Sequence, residues 1–305
     1  MLIFAAIAAV LFIVVLHELA RRAVMLFLRV APSLPPKVTA SRAWARSQAF
    51  RFRMAERYPV FVVFVANRIE PRQPTGLPLT LMILAAVYLA ALFSGLTEDI
   101  LEAAGIIRID NVVNAAFGKW RVEPLISTFS WITALGSSPS VVSAVIIATG
   151  FLWSQRRFHI ILPLWVTCSG ALATTSVGKL LIGRHRPEMT IDVTVVSSSF
   201  PSGHATAAMA VYGFIAYAIA RVLPGVPERF EVAYWTAVLI LLIGFSRIFL
   251  GVHYLTDVIG GFIVGGFWLL IGFTSAEWNA AGTSALPHGG NDSIQDQSLP
   301  GDGGP

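Results

Sequence analysis

Of 305 residues, 55% are hydrophobic and only 13% charged, about half the roughly 25% charged share of an ordinary soluble domain. This excludes a soluble globular protein and predicts a polytopic membrane protein. The net charge of +5 does not argue for nucleic acid, because it comes mostly from one segment beside a membrane span, where positive-inside sorting is the simpler cause.

Residues 1–16 carry no charge, the short end of the roughly 17 to 25 residues a spanning helix needs. They lack the basic leader and small-residue cleavage site of a signal peptide, which predicts a retained anchor or an interfacial helix. From His17 to Arg72, ten arginines and Lys37 stand against Glu18, Glu56 and Glu70. That excess of positive charge marks the cytoplasmic side. Within it, residues 43–57 read equally as a basic amphipathic helix on anionic lipid or as a solvated charged linker.

Residues 73–97 form an uncharged stretch of 25, a clear membrane span. Residues 98–123 hold five acidic and three basic residues, which predicts an outside segment of interfacial helices with Trp120 at the lipid headgroups. Spans follow at about 138–153 and 160–178, joined by the basic turn Gln155-Arg156-Arg157, which belongs inside. The single cysteine, Cys168, lies in the second of them, so no disulfide framework or cysteine metal cage is available. Three more spans are predicted at 204–222, 232–250 and 257–273, with 221–231 as another inside loop. The tail, 281–305, has six glycines, three prolines and no aromatic residue, and is expected to be disordered.

The charge tolerated next to the spans gathers in three clusters. Ionisable groups at such places are expensive and are functional candidates by default. The first is Lys179-Leu-Leu-Ile-Gly-Arg-His-Arg-Pro187. If the preceding span stays helical, Lys179 and Arg186 sit about two turns apart on one face and can point at one anion. Arginine offers a planar fork suited to phosphate oxygens and lysine a movable point charge, although snorkelling to headgroups would also account for this cluster alone.

The second cluster is Phe200-Pro201-Ser202-Gly203-His204, at the start of an apolar helix. Serine is a favoured N-cap, glycine lets a ligand approach the backbone, and a helix N-terminus is a ready anion site. His204 stands in the first turn, in reach of whatever those N–H groups hold. The third contains Ser246, Arg247, His253 and Asp257. Four residues apart on a helix, His253 and Asp257 would share a face, the carboxylate fixing the imidazole tautomer and making the other nitrogen a nucleophile. Two crossings separate the third cluster from the others, so all three emerge on one face, opposite the basic loops.

A metal site built on His204, His253 and Asp257 is the rival reading. Lys179, Arg186 and Arg247 weigh against it, since each would repel a divalent cation by roughly 3 kcal/mol at about 5 Å and an effective dielectric of about 20. The same cations favour a phosphate, and no metal or other cofactor is expected.

In this order, Lys-x6-Arg-Pro, Pro-Ser-Gly-His and Ser-Arg-x5-His-x3-Asp resemble the three signatures of the type-2 phosphatidic acid phosphatase superfamily of membrane lipid phosphatases. The resemblance covers about residues 77–278. It implies an all-α polytopic bundle with a six-helix core at 77–278, leaving 1–76 as anchor and basic juxtamembrane segment and 279–305 as tail. It implies a multi-pass protein of the plasma (inner) membrane whose site lies on the extracytoplasmic or periplasmic face. Lys179, Arg186 and Arg247 would hold the phosphoryl oxygens with Ser202 and the Gly203 N–H. His253 would attack phosphorus and form a phosphohistidine, Asp257 would orient it, and His204 would protonate the leaving oxygen and then activate water. The implied partner is a lipid phosphomonoester or a polyprenyl diphosphate in the membrane, with no obligatory protein partner. A transferase of the same fold and a non-enzymatic anion or lipid transporter are the alternatives.

Overall fold

In hydrocarbon every backbone N–H and C=O must be bonded within the protein. This chain meets that demand with helices, and among the described residues there is no strand. The computed structural model describes residues 2–30, 57, 76–102, 104–187 and 197–284. The elements are α1 (Leu2–Val30), α2 (Leu77–Glu102), α3 (Ala104–Gly118), α4 (Glu123–Ala134), α5 (Ser138–Ser154) and α6 (Phe158–Ile182). There follow α7 (Gly203–Ala220, with a π-turn at Ala208–Tyr212), α8 (Val226–Phe249) and α9 (Leu255–Ser284).

Six apolar stretches among the described residues are long enough to cross a bilayer: α2, α4 with α5, α6, α7, α8 and α9 as far as Ala280. The expected all-α six-helix core is therefore present. Its apolar surface is turned outward, as lipid requires: Leu180 and Leu181 are 84% and 80% exposed. The stretch expected to be interfacial divides, with α2 running on through Glu98 and Asp99 to Glu102 and α3 occupying 104–118. The second apolar stretch begins at Glu123, ahead of the expected 138. It breaks between α4 and α5, where Leu135 to Ser137 leave the helix and Pro139 opens the next one.

Helix α1 also departs from expectation, continuing well past residue 16. Its charges are paired rather than terminating the helix: Glu18 accepts from Arg21 and Arg22 one turn on, and His17 Nε2 lies 2.8 Å from Glu231 of α8. The His17 ring also stacks on Trp235, and Tyr234 donates to the Ile13 carbonyl. The expectations for residues 43–56, for 285–305 and for Glu188 and Asp192 fall outside the described residues.

Helix α9 is the centre of the bundle, packed against α2, α6 and α7. Small residues allow the close approach. A Cβ at Gly261 would stand 2.6 Å from the Ser202 carbonyl oxygen, so the α9 backbone touches the start of α7 there. At one end of the bundle Leu152, Ile160, Leu164, Val211 and Phe214 form the apolar core. At the other, Phe117, Phe129, Phe245 and Phe249 pack ring against ring and tie α3 and α4 to the end of α8. The three charged clusters meet beside this aromatic group.

Candidate active site

Helix α6 carries Lys179 in its last turn and stops at Ile182. Gly183 takes the left-handed conformation (φ +62°), its N–H donating to the Lys179 carbonyl, so the chain turns away. The condition for a shared helix face is therefore not met, and Lys179 and Arg186 do not lie on one helix. Arg186 is held instead by tertiary bonds, Nη1 to the Val252 carbonyl at 2.7 Å and Nε to the Ser197 carbonyl at 2.9 Å.

Ser202 is the residue before α7, as expected of an N-cap, but its hydroxyl makes no capping bond. The side chain is fully buried, and Oγ has no hydrogen-bond partner among the described residues. Its backbone is fixed, since the Ser202 N–H donates to the Asp257 carbonyl at 2.9 Å. Gly203 and His204 open the helix, where the first N–H groups have no partner within the helix itself. His204 lies within electrostatic reach of Arg247, His253, Lys179 and Arg186. Its ring is backed by the junction between α4 and α5, where a Cβ on Gly136 would sit 3.2 Å from it.

His253 corrects a second expectation. Helix α8 ends at Phe249, Gly251 turns the chain in the left-handed region (φ +69°), and His253 lies before α9, not on it. Its N–H donates back to the Arg247 carbonyl at 3.3 Å. The pairing survives the change of geometry: His253 Nδ1 lies 3.5 Å from Asp257 Oδ2, long for a hydrogen bond, and its Nε2 lies 3.4 Å from Arg186 Nη1. Asp257 stands at the third position of α9, where Oδ2 also accepts the Tyr254 N–H at 2.8 Å. This is half of a capping box.

His253 is 2% exposed and Asp257 0%. Burial pushes the His253 imidazole down to about 4; Asp257 opposes that shift, and Arg247 and Arg186 add to it. Arg247, in the last turn of α8, donates from Nη1 to Thr133 Oγ1 of α4 at 2.9 Å. Lys179 feels Arg186, Arg247 and Asp257. Lys179, Arg186, Ser202, Gly203, His204, Arg247, His253 and Asp257 therefore lie in one neighbourhood.

Two charged residues in this cluster had no assigned role. Arg184 bonds Asp257 Oδ1 and Asp110 Oδ2, each at 2.6 Å, and its guanidinium lies 4.5 Å from the Tyr254 ring centroid. Asp110, on α3, is fully buried and accepts the Thr256 N–H at 3.1 Å. The only sequence signal for Asp110 was a lone acid in an apolar helix, which read as one more outside charge. Lys179, Arg184, Arg186 and Arg247 outnumber Asp110 and Asp257 by two, matching the charge of a phosphate monoester. Among the described residues no three His, Cys, Asp or Glu side chains gather in a way that could hold a metal ion.

The family model for the PAP2 superfamily matches residues 159–281. Phosphatidylglycerophosphatase B of Bacillus subtilis (strain 168) is 35% identical over 205 residues, covering 66% of this chain and 94% of that protein. The crystal structure of a transmembrane PAP2-type phosphatidylglycerolphosphate phosphatase from Bacillus subtilis superposes with a TM-score of 0.59 at 27% identity. It covers 67% of this chain and 98% of that one. LpxE of Aquifex aeolicus gives a TM-score of 0.44 at 21% identity, over 56% and 96% of the two chains. With the signatures converging at one end of a six-span bundle, the chain belongs to the PAP2 superfamily and is a multi-pass membrane phosphatase that hydrolyses phosphoric esters of lipids.

Proposed function

We propose that this phosphatase cleaves a lipid phosphomonoester through a phosphohistidine on His253, within a catalytic unit at 77–278. The supporting observation is that Nε2 of a buried imidazole faces Arg186 while Nδ1 faces Asp257. The nitrogen free to attack is thus beside the cations that would gather phosphoryl oxygens. In-line phosphoryl transfer needs positioning and charge neutralisation above all. Lys179, Arg186 and Arg247, with Ser202 Oγ and the Gly203 N–H, hold the three oxygens.

Nε2 of His253 forms a bond to phosphorus as the bond from phosphorus to the lipid oxygen breaks, and His204 gives that oxygen its proton. In the second half His204 takes a proton from water, the water oxygen attacks phosphorus, and the P–N bond breaks to release inorganic phosphate. An alkoxide leaves poorly without such an acid, which gives His204 its part. The similarity to a phosphatidylglycerophosphatase favours a glycerophospholipid monoester over a polyprenyl diphosphate. The basic turn at Arg156 and Arg157 and the loop at Arg221 lie at the other end of the spans, which supports an extracytoplasmic site.

The test is phosphate release by the detergent-solubilised protein from phosphatidylglycerol phosphate, phosphatidic acid and undecaprenyl diphosphate, with His253→Ala beside it. The expected result is turnover of the monoesters, loss of on the order of 10⁴-fold in the variant, and an acid-labile 32P label on the wild type alone. Labelled protein that persists in His253→Ala, or turnover confined to the diphosphate, overturns the reading.

A further inference from the structure

Asp257 can orient His253 only if its own carboxylate is held, and burial alone does not hold it. Oδ2 is turned to the Tyr254 N–H and to His253 Nδ1. Oδ1 is taken by Arg184 Nη1 at 2.6 Å. The same Nη1 donates to Thr256 Oγ1 at 2.7 Å, and Nη2 donates to Asp110 Oδ2 at 2.6 Å. Asp110 in turn accepts the Thr256 N–H and the Thr256 hydroxyl. A guanidinium that is 10% exposed therefore bridges two fully buried carboxylates, one of them on α3, outside the matched residues 159–281.

We infer that Arg184 and Asp110 are positioning residues, which lock the Asp257 carboxylate so that one oxygen faces His253 and the other is withheld from it. The fork geometry is needed, because two carboxylates on different helices must be met by one planar group, and a lysine cannot do this. Neither residue is placed to touch phosphate, since Arg184 is spent on carboxylates and the Tyr254 ring. Removing one member of such a buried set leaves an uncompensated charge. The inference rests on His253 being the nucleophile and assigns α3 a part in its alignment.

The charged and titratable groups facing His253 are Asp257 on α9, Arg247 on α8, Arg186 after α6 and His204 on α7. Lys179 and Arg184 act on Asp257. In Arg184→Gln the Asp257 charge is no longer shared, so imidazolium is favoured. The His253 titration midpoint, read by NMR of histidine-labelled protein and assigned with His253→Ala, rises by about one pH unit. Arg184→Lys keeps the charge and leaves the midpoint within about half that change, while its kcat still falls.

On a lipid phosphate micelle Arg184→Gln lowers kcat on the order of 10- to 100-fold at unchanged KM. Combined with Asp257→Asn it adds less than about 3-fold to the loss from Asp257→Asn alone. An unmoved midpoint, a raised KM, or losses that multiply overturn the inference. Should Arg184→Gln fail to fold, Asp110→Asn carries the same kinetic test, with lowered kcat at unchanged KM and no further loss on Asp257→Asn supporting it, and a raised KM or multiplied losses sinking it. A wild type that releases no phosphate from any lipid sinks the proposed substrate reading instead, and the NMR arm still decides this one.

Discussion

Arg186 follows the end of α6 and His253 stands just ahead of α9, and Nη1 of one lies 3.4 Å from Nε2 of the other. A cation cannot donate usefully to an imidazolium, so this approach suits a neutral ring whose Nε2 lone pair faces the guanidinium. It also sets a permanent positive charge where a phosphoryl oxygen must sit when that nitrogen attacks.

Arg186→Lys is therefore not conservative. Lysine, with its donors on a single nitrogen, cannot span the Val252 carbonyl and the Ser197 carbonyl and hydroxyl as the planar guanidinium does. The expected loss in kcat/KM is on the order of 10²-fold, near 2.7 kcal/mol, with thermal stability in detergent changed far less. Steady-state phosphate release and a melting curve measure both.

The buried His253 gives the protein a pH dependence of definite sign. Its folded value, about 4, lies below the ordinary value near 6.5. The neutral ring is thus the folded protein's form at neutral pH, and its contribution to stability is fully present above about 6.5. That contribution is lost as pH falls from there through about 4. Chemical denaturation of wild type and His253→Gln across that window should show the wild-type advantage shrinking toward acid pH.

Ser202→Ala separates ligand binding from folding. The hydroxyl is buried without a partner among the described residues, so its removal deletes no protein hydrogen bond. Stability should hold or rise by up to about 1 kcal/mol. If Oγ serves phosphate, kcat/KM falls about 10-fold on every lipid phosphate tested. A loss of stability without a loss of rate would reverse that assignment.

Gly261→Ala tests the contact between α9 and the start of α7. The new Cβ meets the Ser202 carbonyl at 2.6 Å, a backbone atom that cannot swing aside. Overpacking of this kind costs about 1–3 kcal/mol, and here it displaces Ser202 and Gly203 as well. Both melting temperature and turnover should fall, whereas Gly95→Ala, with nothing within 4 Å of its Cβ, should leave both unchanged.

Membrane residence, the helical class, the number of spans and the signature residues were all legible in the chain. Long uncharged runs can only be buried in lipid, and charges beside them must have a use. Boundaries were less so, because charged residues such as Glu98, Asp99 and Glu18 ended predicted helices yet are carried within real ones. At α1 the reason is visible, since Glu231 on a distant helix and arginines one turn away satisfy the charge.

Tertiary structure alone decided how the clusters meet. Spacing suggested one helix face for Lys179 with Arg186 and another for His253 with Asp257. The left-handed turn at Gly183 breaks the first and the start of α9 at Leu255 breaks the second, and bonds to Val252, Arg247 and Tyr254 rebuild the same neighbourhoods. The roles of Arg184 and Asp110 were beyond reach for a related reason. A charge acquires its meaning from the partner that neutralises it, and here those partners lie 73 and 74 positions away along the chain, on separate helices.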